Sequence, residues 1–500
     1  MLPNPTDLFC HDLPTTPQPD VGKILVTGAT GYVGGRLVPE LLSRGYDLRL
    51  MVRNEVIDHS KWQNAEVVVE DALNKDHLNA ALEGIQVAYY LIHSLGLGPD
   101  KFANVDLVAA ENFQHIASKK GVKRIIYLGG AGDIQNCLSE HLRNRLIVAE
   151  ILRQGTVPVT ALRAAVIIGS GSASYEILKN MVINLPVLLL PPWARNKCQP
   201  IAIRDVVKYL VGVLEEKQST GNDYEIGGSD ILTYEEMLKN CAAILGSKIL
   251  FLYFPKKNIS MYAYLASLFT PLPAPIISCL MEGLKDNTTC NDNRITQLIP
   301  FQTLSYNEAI VRALSREEQD KVYTRWSDAY PPANELAIKL SELSEPPNFT
   351  TNYSLFTQKS APSLFYNICK IGGKDGWFRD NWMWRLRGWV DRIFMGVGTA
   401  RGRKSSQWLE INDVIDFFRI ENLKQNELLL LRAEMKLPGR AWLEFRIENQ
   451  PQRINRLTII AYYQTKTLFG KLYWYFFLPF HHIIFKDLIE EIDNRSSVLG

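Results

Sequence analysis

The sequence predicts a doubly wound α/β domain with a parallel sheet and a small appended lobe over residues 21–335, followed by an α+β domain over residues 345–500. Three observations carry this. Lys23–Arg36 reads K-I-L-V-T-G-A-T-G-Y-V-G-G-R, an Ile/Leu/Val run that meets three regularly spaced glycines and then turns helical. Apolar runs of strand length alternate with helical stretches up to residue 128, and parallel strands require such crossovers. Past residue 345 that alternation stops, and short strand patterns follow one another up to a long closing helix.

Residues 1–20 hold five prolines without periodicity and are expected as a flexible tail. The first strand then enters Gly28, Gly31 and Gly34, and the following helix carries Leu37, Val38, Leu41 and Leu42 until Gly45 stops it. Glycines here remove the Cβ that would bar a phosphate from main-chain N–H groups, and the helix start adds its unpaired amides and positive dipole end. With a second strand at Asp47–Val52, the context fits a dinucleotide cradle made of Thr27, Gly28, Thr30, Gly31, Tyr32, Val33 and Gly34. The plain alternative is a compact turn. About 20 residues further on, an acid would accept a ribose 2′-hydroxyl and an arginine a 2′-phosphate. Arg53 stands there, so NADP (NADPH) is the expected cofactor, with NAD as the alternative.

The third strand is Ala65–Val69, closed by Glu70, Asp71 and Ala72, and a short helix covers Lys75–Leu82. The fourth strand, Val87–Ile92, delivers His93 and Ser94 to the carboxyl end of a central strand, where open α/β sheets bind ligands. Lys101–Lys120 places Phe102, Val105, Leu107, Val108, Phe113 and Ile116 at helical spacing, and Arg124–Leu128 is the fifth strand. A sixth strand ends in Gly169-Ser170-Gly171-Ser172, a loop able to approach a nicotinamide or substrate. In the lobe, Asp205 is expected to cap a helix, and Thr233 with Glu236 forms a capping box. Ser260–Leu284 reads as an apolar helical pair broken by Pro271, Pro273 and Pro275, a lobe core or an apolar substrate mouth.

Thr-Gly-x-x-Gly-x-x-Gly resembles the short-chain dehydrogenase/reductase superfamily in its extended and atypical branches. T-G-A-T-G-Y-V-G, Y-Y-L-I-H-S, I-Y-L-G-G, L-S-E-H-L-R-N-R, L-R-A-A-V-I-I-G-S-G-S-A-S-Y-E and P-I-A-I-R-D-V, in that order, resemble one subgroup. It is the atypical, NmrA-like group of bacterial NAD(P)-binding proteins (atypical subgroup 5) that carry a C-terminal DUF2867 domain. The resemblance implies a Rossmann-type fold and an adenine-binding acid at Asp71, next to Ala72. Active short-chain dehydrogenases place Ser or Thr after the fifth strand and Tyr-x-x-x-Lys on the next helix. The corresponding positions here are Gly129 or Gly130, His141 and Arg145. His141 is therefore the first candidate for proton transfer, with Arg145 toward ribose or phosphate and His93 as the second. The alternative is a surface histidine on a site that has lost its chemistry. Tyr175 with Lys179, Tyr253 with Lys257 and Tyr366 with Lys370 repeat the spacing by chance. Gly129, Gly130, Gly169 and Ser170 are candidates for the substrate pocket.

A linker is expected around Tyr330–Asn352, then a helix from Ser360, a Trp-dense stretch at Trp377–Trp389, and a final helix over Leu468–Ile492. Between them, strands are expected at Trp408–Leu409, Val414–Ile420, Glu427–Ala433, Arg440–Ile447 and Arg456–Tyr463. This order resembles the helix-grip fold of START-like (SRPBCC) carriers, which implies an apolar cavity under the last helix, lined by residues such as Trp442 and Trp474. Plain core is the alternative for such aromatics. Arg401, Arg403 and Lys404 are candidates to bind an anion, with a solvated loop as the plainer reading, and adjacent His481 and His482 make a poor metal pair. L-Y-W-Y-F-F-L-P-F-H-H-I-I-F is a candidate for peripheral contact with a bilayer.

Lys plus Arg is 55 against 53 Asp plus Glu, which argues against nucleic acid as a partner. The 7 cysteines lack a Cys-x-x-Cys pair, as expected of buried thiols in a reducing, cytoplasmic setting without a metal site. Neither a secretory signal nor a long uncharged apolar run is read. The expected function is an NADP(H)-dependent oxidoreductase acting on a small apolar molecule, quinone-, sterol- or lipid-like. The competing expectation is a non-catalytic dinucleotide sensor or lipid-handling protein.

Overall fold

The computed structural model describes residues 8–53, 62, 64–93, 99–132, 139–256, 258–318, 322, 324–329, 338–373, 376–378, 381–403, 409–451 and 454–497. Ser94, Cys137, Lys257, Lys404 and Trp408 lie outside them. The chain divides into two compact units, the first mainly Met1–Glu55, His59–Thr270 and Ala274–Pro332, the second mainly Ala333–Gly500.

In the first unit β1 (Ile24–Thr27), α1 (Gly34–Ser43), β2 (Leu48–Val52), β3 (Ala65–Val69), α2 (Lys75–Ala81), β4 (Val87–Tyr90), α3 (Pro99–Lys120), β5 (Arg124–Gly130), α4 (Glu140–Arg153) and β6 (Val159–Ala164) follow the expected alternation. Then come β7 (Ile167–Ile168), α5 (Ala173–Asn184), β8 (Val187–Leu190), β9 (Lys197–Cys198), β10 (Ile201–Ala202), α6 (Ile203–Glu215) and β11 (Asp223–Ile226). The lobe adds β12 (Leu232–Thr233), α7 (Tyr234–Ile244), β13 (Leu250–Tyr253), α8 (Ile259–Phe269), α9 (Ala274–Glu282), α10 (Arg294–Leu298) and α11 (Tyr306–Glu318).

Seven strands form one sheet in the order β11-β6-β5-β4-β1-β2-β3, and all its pairings are parallel. The chain starts mid-sheet at β1, runs outward to β3, then crosses to β4 on the other side of β1. That reversal opens a crevice at the carboxyl ends of β1 and β4, the usual ligand position of such a sheet. Ile24, Leu25 and Val26 are fully buried, so side chains of both faces lie under cover.

Several expectations need correction. The sixth strand stops at Ala164, and Gly169–Ser172 instead follows β7, which pairs with β10 outside the main sheet. Asp205 does not cap α6, because the helix starts at Ile203 behind Ala202; its carboxylate accepts from the Leu304 N–H (2.8 Å) and Arg204 Nε (2.9 Å). In α3 Val108 faces solvent, and the buried stripe is Asp106, Ala109, Ala110, Asn112, Phe113, Ile116 and Ala117. Over its described part the amino-terminal segment is held down rather than loose: Cys10 N–H donates to Glu40 and Asp12 pairs with buried Lys208. Glu215 accepts from Arg44, Tyr46 and Thr15 around the same contact. The Thr233–Glu236 capping box is present on α7.

The second unit holds β14 (Phe349–Thr357), α12 (Ala361–Ile368), α13 (Asn381–Ile393), β15 (Val414–Ile415), β16 (Phe418–Lys424), β17 (Leu428–Ala433), β18 (Arg440–Gln450), β19 (Ile454–Gln464) and α14 (Leu468–Asn494). Its sheet runs β14-β19-β18-β17-β16-β15 and is antiparallel throughout. Phe349–Asn352, read as linker, is the start of β14, because its partner β19 lies about a hundred residues away and leaves no local trace. Leu409 is not in a strand. Arg401 is not on a solvated loop: it is buried against Glu434 (2.7 Å), which also takes Arg419 (2.6 Å). Burial pushes the Glu434 carboxyl up, but these arginines together with Arg432 outweigh it and hold it below its usual range.

Candidate functional site

The glycine cradle is built as its spacing demands. Gly28 sits at φ +65°, where a Cβ would lie 2.7 Å from the Leu91 carbonyl oxygen. A Cβ on Gly34 would stand 2.2 Å from Gly28 O, so α1 can start this close to β1 only through glycine. At Gly31 the single close neighbour is Gly28 O at 3.1 Å, and the rest of the space is open. α1 begins at Gly34; the amides of Gly35, Arg36 and Leu37 already donate to the Gly31 and Val33 carbonyls, which leaves those of Tyr32, Val33 and Gly34 to face an anion. Thr27 serves differently from the other cradle residues: its buried hydroxyl donates to Tyr89 O and accepts from Leu91 N–H (both 3.0 Å), locking β1 to β4.

Arg36, not singled out by the sequence, braces this cradle. Its buried guanidinium lies over the Tyr32 ring and donates to Tyr32 O, Thr324 O, Thr324 Oγ1 and Ser170 O. Gly169 would bring a Cβ within 2.7 Å of the Tyr32 hydroxyl. Gly169 and Ser170 are therefore tied to the cradle, and the Ser170 carbonyl is used in that tie. The signal available was an arginine on the buried stripe of α1, alongside Glu40.

Arg53 is exposed just past β2. Asp71 lies past β3, its carboxylate accepting from Leu73 N–H (3.0 Å), and Ala72 is buried. Asn112 of α3 fixes this turn by donating to the Ala72 and Leu73 carbonyls (3.3 and 3.1 Å), another role the sequence reading missed.

His93 and His141, from the end of β4 and the first turn of α4, come together with ring centroids 5.2 Å apart. Ser139 caps α4 by accepting from Leu142 N–H, which sets where His141 projects. His93 Nδ1 lies 3.3 Å from Asp106 Oδ2. A carboxylate only accepts, so Nδ1 carries the proton and Nε2 is left as the acceptor nitrogen. Burial, then Arg145, lowers the His93 pKa; burial, then His93 and Arg145, lowers that of His141 well below 6.5. Both imidazoles are therefore neutral at pH 7. Arg145 points at β5: its guanidinium donates to Leu128 O and lies over the Tyr127 ring, whose hydroxyl donates to Arg145 O (2.9 Å). Gly129 and Gly130 pack against Tyr127 and Leu142, where a Cβ would come within 2.8 and 2.9 Å. Asp106 was legible only as an acid on the buried stripe of α3.

His141 and Leu142 also border a cavity of about 160 Å³ whose other walls are almost wholly apolar, among them Val166, Met181, Leu188, Trp193, Met237 and Tyr262. The proline-broken helical pair thus contributes to a greasy chamber, through Tyr262 of α8 and Met281 of α9. Tyr175 is fully buried with Lys179 over its ring and is not an exposed Tyr-x-x-x-Lys acid. In the second unit Trp442 is buried with its indole N–H on Glu421 (2.9 Å), and Trp474 stacks between Tyr463 and Phe349. Both are buried. Among the described residues no cluster of His, Cys, Asp and Glu is placed to hold a metal.

A parallel sheet of this order, with a glycine cradle at its first helix, defines an NAD(P)-binding unit of the short-chain dehydrogenase type. The chain belongs to the NmrA-like family, whose model matches residues 20–320. Residues 345–488 match a second model, that of a protein of unknown function (DUF2867). The chain is 22% identical over 226 residues to photosystem II assembly factor Ycf39 of Trieres chinensis, covering 45% of this chain and 69% of that protein. It is 25% identical over 253 residues to the chloroplastic divinyl chlorophyllide a 8-vinyl-reductase of Arabidopsis thaliana, covering 47% and 60%. With the 3-beta-hydroxysteroid dehydrogenase of Mycolicibacterium neoaurum it shares 29% over 123 residues, covering 22% and 33%, so the chain spans from a third to just over two thirds of these relatives. Among solved structures, the Citrobacter sp. triphenylmethane reductase complexed with NADP(H) superposes with a TM-score of 0.48 at 20% identity, covering 58% of this chain and 99% of that one.

Proposed function

We propose that the first unit is an NADP(H)-dependent reductase of a small apolar molecule, quinone-, sterol- or lipid-like. The observation that carries this reading is the pair of neutral histidines beside an apolar chamber, with His141 in its wall. Gly28, Gly31 and Gly34 would hold the dinucleotide diphosphate, Arg53 the 2′-phosphate and Asp71 the adenine side. A nicotinamide bound there supplies or accepts the hydride. His141, neutral and buried, donates a hydrogen bond to the substrate oxygen and polarises it, as an imidazole kept below its ordinary pKa can do without being a strong acid. Asp106 holds His93 with its proton on Nδ1, so that its bare Nε2 acts as an acceptor; the proton that joins the reduced oxygen comes from His141, which is then reprotonated from solvent. The apolar walls exclude water and favour substrates with little polar surface. Two relatives are named for a chlorophyllide and a steroid, both ring compounds, which fits that substrate class.

The second unit fits an apolar-ligand carrier of the helix-grip kind. Its first strand pairs with its last, the remaining strands descend from there, and α14 closes the chain. A non-catalytic dinucleotide sensor is the other reading, favoured by Arg145, whose guanidinium serves β5 where a lysine would serve ribose.

The test follows absorbance of reduced nicotinamide with quinone, sterol and aldehyde panels in parent, His141→Ala and His93→Ala proteins. Turnover that falls at least about a hundredfold in either variant supports the reading. NADPH binding with no turnover on any panel member favours the sensor, and turnover untouched in both variants removes the histidines. Arg53→Asp is expected to reverse NADP over NAD preference; equal parental affinity for both overturns the cofactor assignment.

A further inference from the structure

α13 and α14 expose what helices normally bury. In α14, Leu468, Phe469, Leu472, Tyr475, Phe476 and Phe480 are 46–74% exposed. Their spacing places them on one face, an arc of about 140°. The opposite face buries Trp474, Phe485, Leu488, Ile489 and Ile492. At about 200 Å² per side chain the exposed stripe amounts to roughly 700 Å², beyond the usual largest apolar patch of a monomer. α13 repeats the arrangement: Trp382, Leu386, Trp389 and Ile393 are 60%, 53%, 57% and 38% exposed at one-turn spacings. The two helices meet through Trp384 and Phe485, whose rings lie 6.2 Å apart.

The charges around these stripes decide the partner. Leu468–Lys486 contains no Asp or Glu, and its cations are Lys471 and Lys486. α13 carries Arg385, Arg387 and Arg392 against one acid, Asp391, which is buried and accepts from the Gly398 and Lys436 N–H groups. Arg385, Arg392 and Trp389 also line a cleft of about 540 Å³ in which Asp416, already bonded to the Trp377 indole, is the one acid among the described residues. Aromatic stripes with a basic margin suit a surface that is apolar beneath and anionic on top. Another protein face would have to supply many carboxylates around an apolar centre, and no described helix is long and apolar enough to cross a membrane.

We infer that the second unit docks on an anionic phospholipid surface through the outer faces of α13 and α14. The exposed aromatic rings enter the boundary between headgroups and acyl chains, while Arg385 and Lys471 meet lipid phosphates. This does not depend on the reaction of the first unit.

Flotation of the full chain with vesicles of phosphatidylcholine, alone or mixed with phosphatidylglycerol, tests it. The protein is expected to float with the mixed vesicles and far less with the neutral ones. Binding should weaken as salt rises from 0.1 to 1 M and the Debye length shrinks from about 10 to about 3 Å. Phe469→Glu with Phe476→Glu should lower binding roughly tenfold or more, with melting temperature and circular dichroism unchanged because both rings are already exposed. Arg385→Glu with Lys471→Glu should abolish the preference for the anionic lipid. The inference is overturned if the parent ignores mixed vesicles or if the phenylalanine variant floats as the parent does. It is equally overturned if light scattering finds a parental dimer that this variant splits, since a second copy would then cover the face.

Discussion

Two alanine substitutions three residues apart, Gly31→Ala and Gly34→Ala, should separate folding from binding in the cradle. At Gly34 the new Cβ would meet Gly28 O at 2.2 Å and Gly28 C at 2.9 Å, both backbone atoms that cannot rotate away. Restoring an ordinary contact moves the start of α1 by about 1 Å, an overpacking cost of about 1–3 kcal/mol. For a unit of this size that corresponds to a melting temperature lower by about 2–10 °C. Gly31 differs. Its Cβ would meet Gly28 O at 3.1 Å and nothing else, a few tenths of an ångström to give, so the unit should melt within about 2 °C of the parent. The methyl group would stand on the open side of the loop, where a diphosphate must lie against main-chain amides. Losing two charge-assisted hydrogen bonds at about 1.5–3 kcal/mol each raises the dissociation constant for NADPH by about a hundredfold or more. Differential scanning calorimetry reads the first effect and titration calorimetry the second. Parental NADPH affinity in Gly31→Ala, or a parental melting temperature in Gly34→Ala, would refute the reasoning from the cradle geometry.

Arg36→Ala should cost about 2–4 kcal/mol in urea unfolding, because it strands the buried Tyr32, Thr324 and Ser170 oxygens; an unchanged midpoint would show those contacts to be dispensable. His141 has its folded pKa depressed below the unfolded value near 6.5, so the unfolded chain binds more protons as pH falls. Its stability contribution is complete above 6.5 and is lost below it, by up to about 1.4 kcal/mol per pH unit. Melting curves from pH 7.5 to 5 should therefore fall more steeply for the parent than for His141→Gln, and identical slopes would count against a buried neutral ring. Glu434→Gln should destabilise the second unit by about 3–5 kcal/mol, since it leaves Arg401 and Arg419 buried without their counter-charge; circular dichroism during guanidinium unfolding measures it, and a loss under about 1 kcal/mol would contradict the network.

The sequence by itself determined what depends on neighbours in the chain. The strand, glycine turn and helix of the cradle, the parallel alternation through β5 and the Thr233–Glu236 cap are all local, since φ freedom, side-chain period and capping act over a few residues. It could not place Asp106 beside His93 or His141 beside both, because β4, α3 and α4 meet only after two crossovers have closed. Nor could it recognise β14, whose pairing partner β19 is distant in the chain, or tell that Trp442 and Trp474 are buried while Phe469 and Phe476 face outward. A helix pattern fixes which residues share a face; which face is covered depends on what packs against it, and only the tertiary structure decides that.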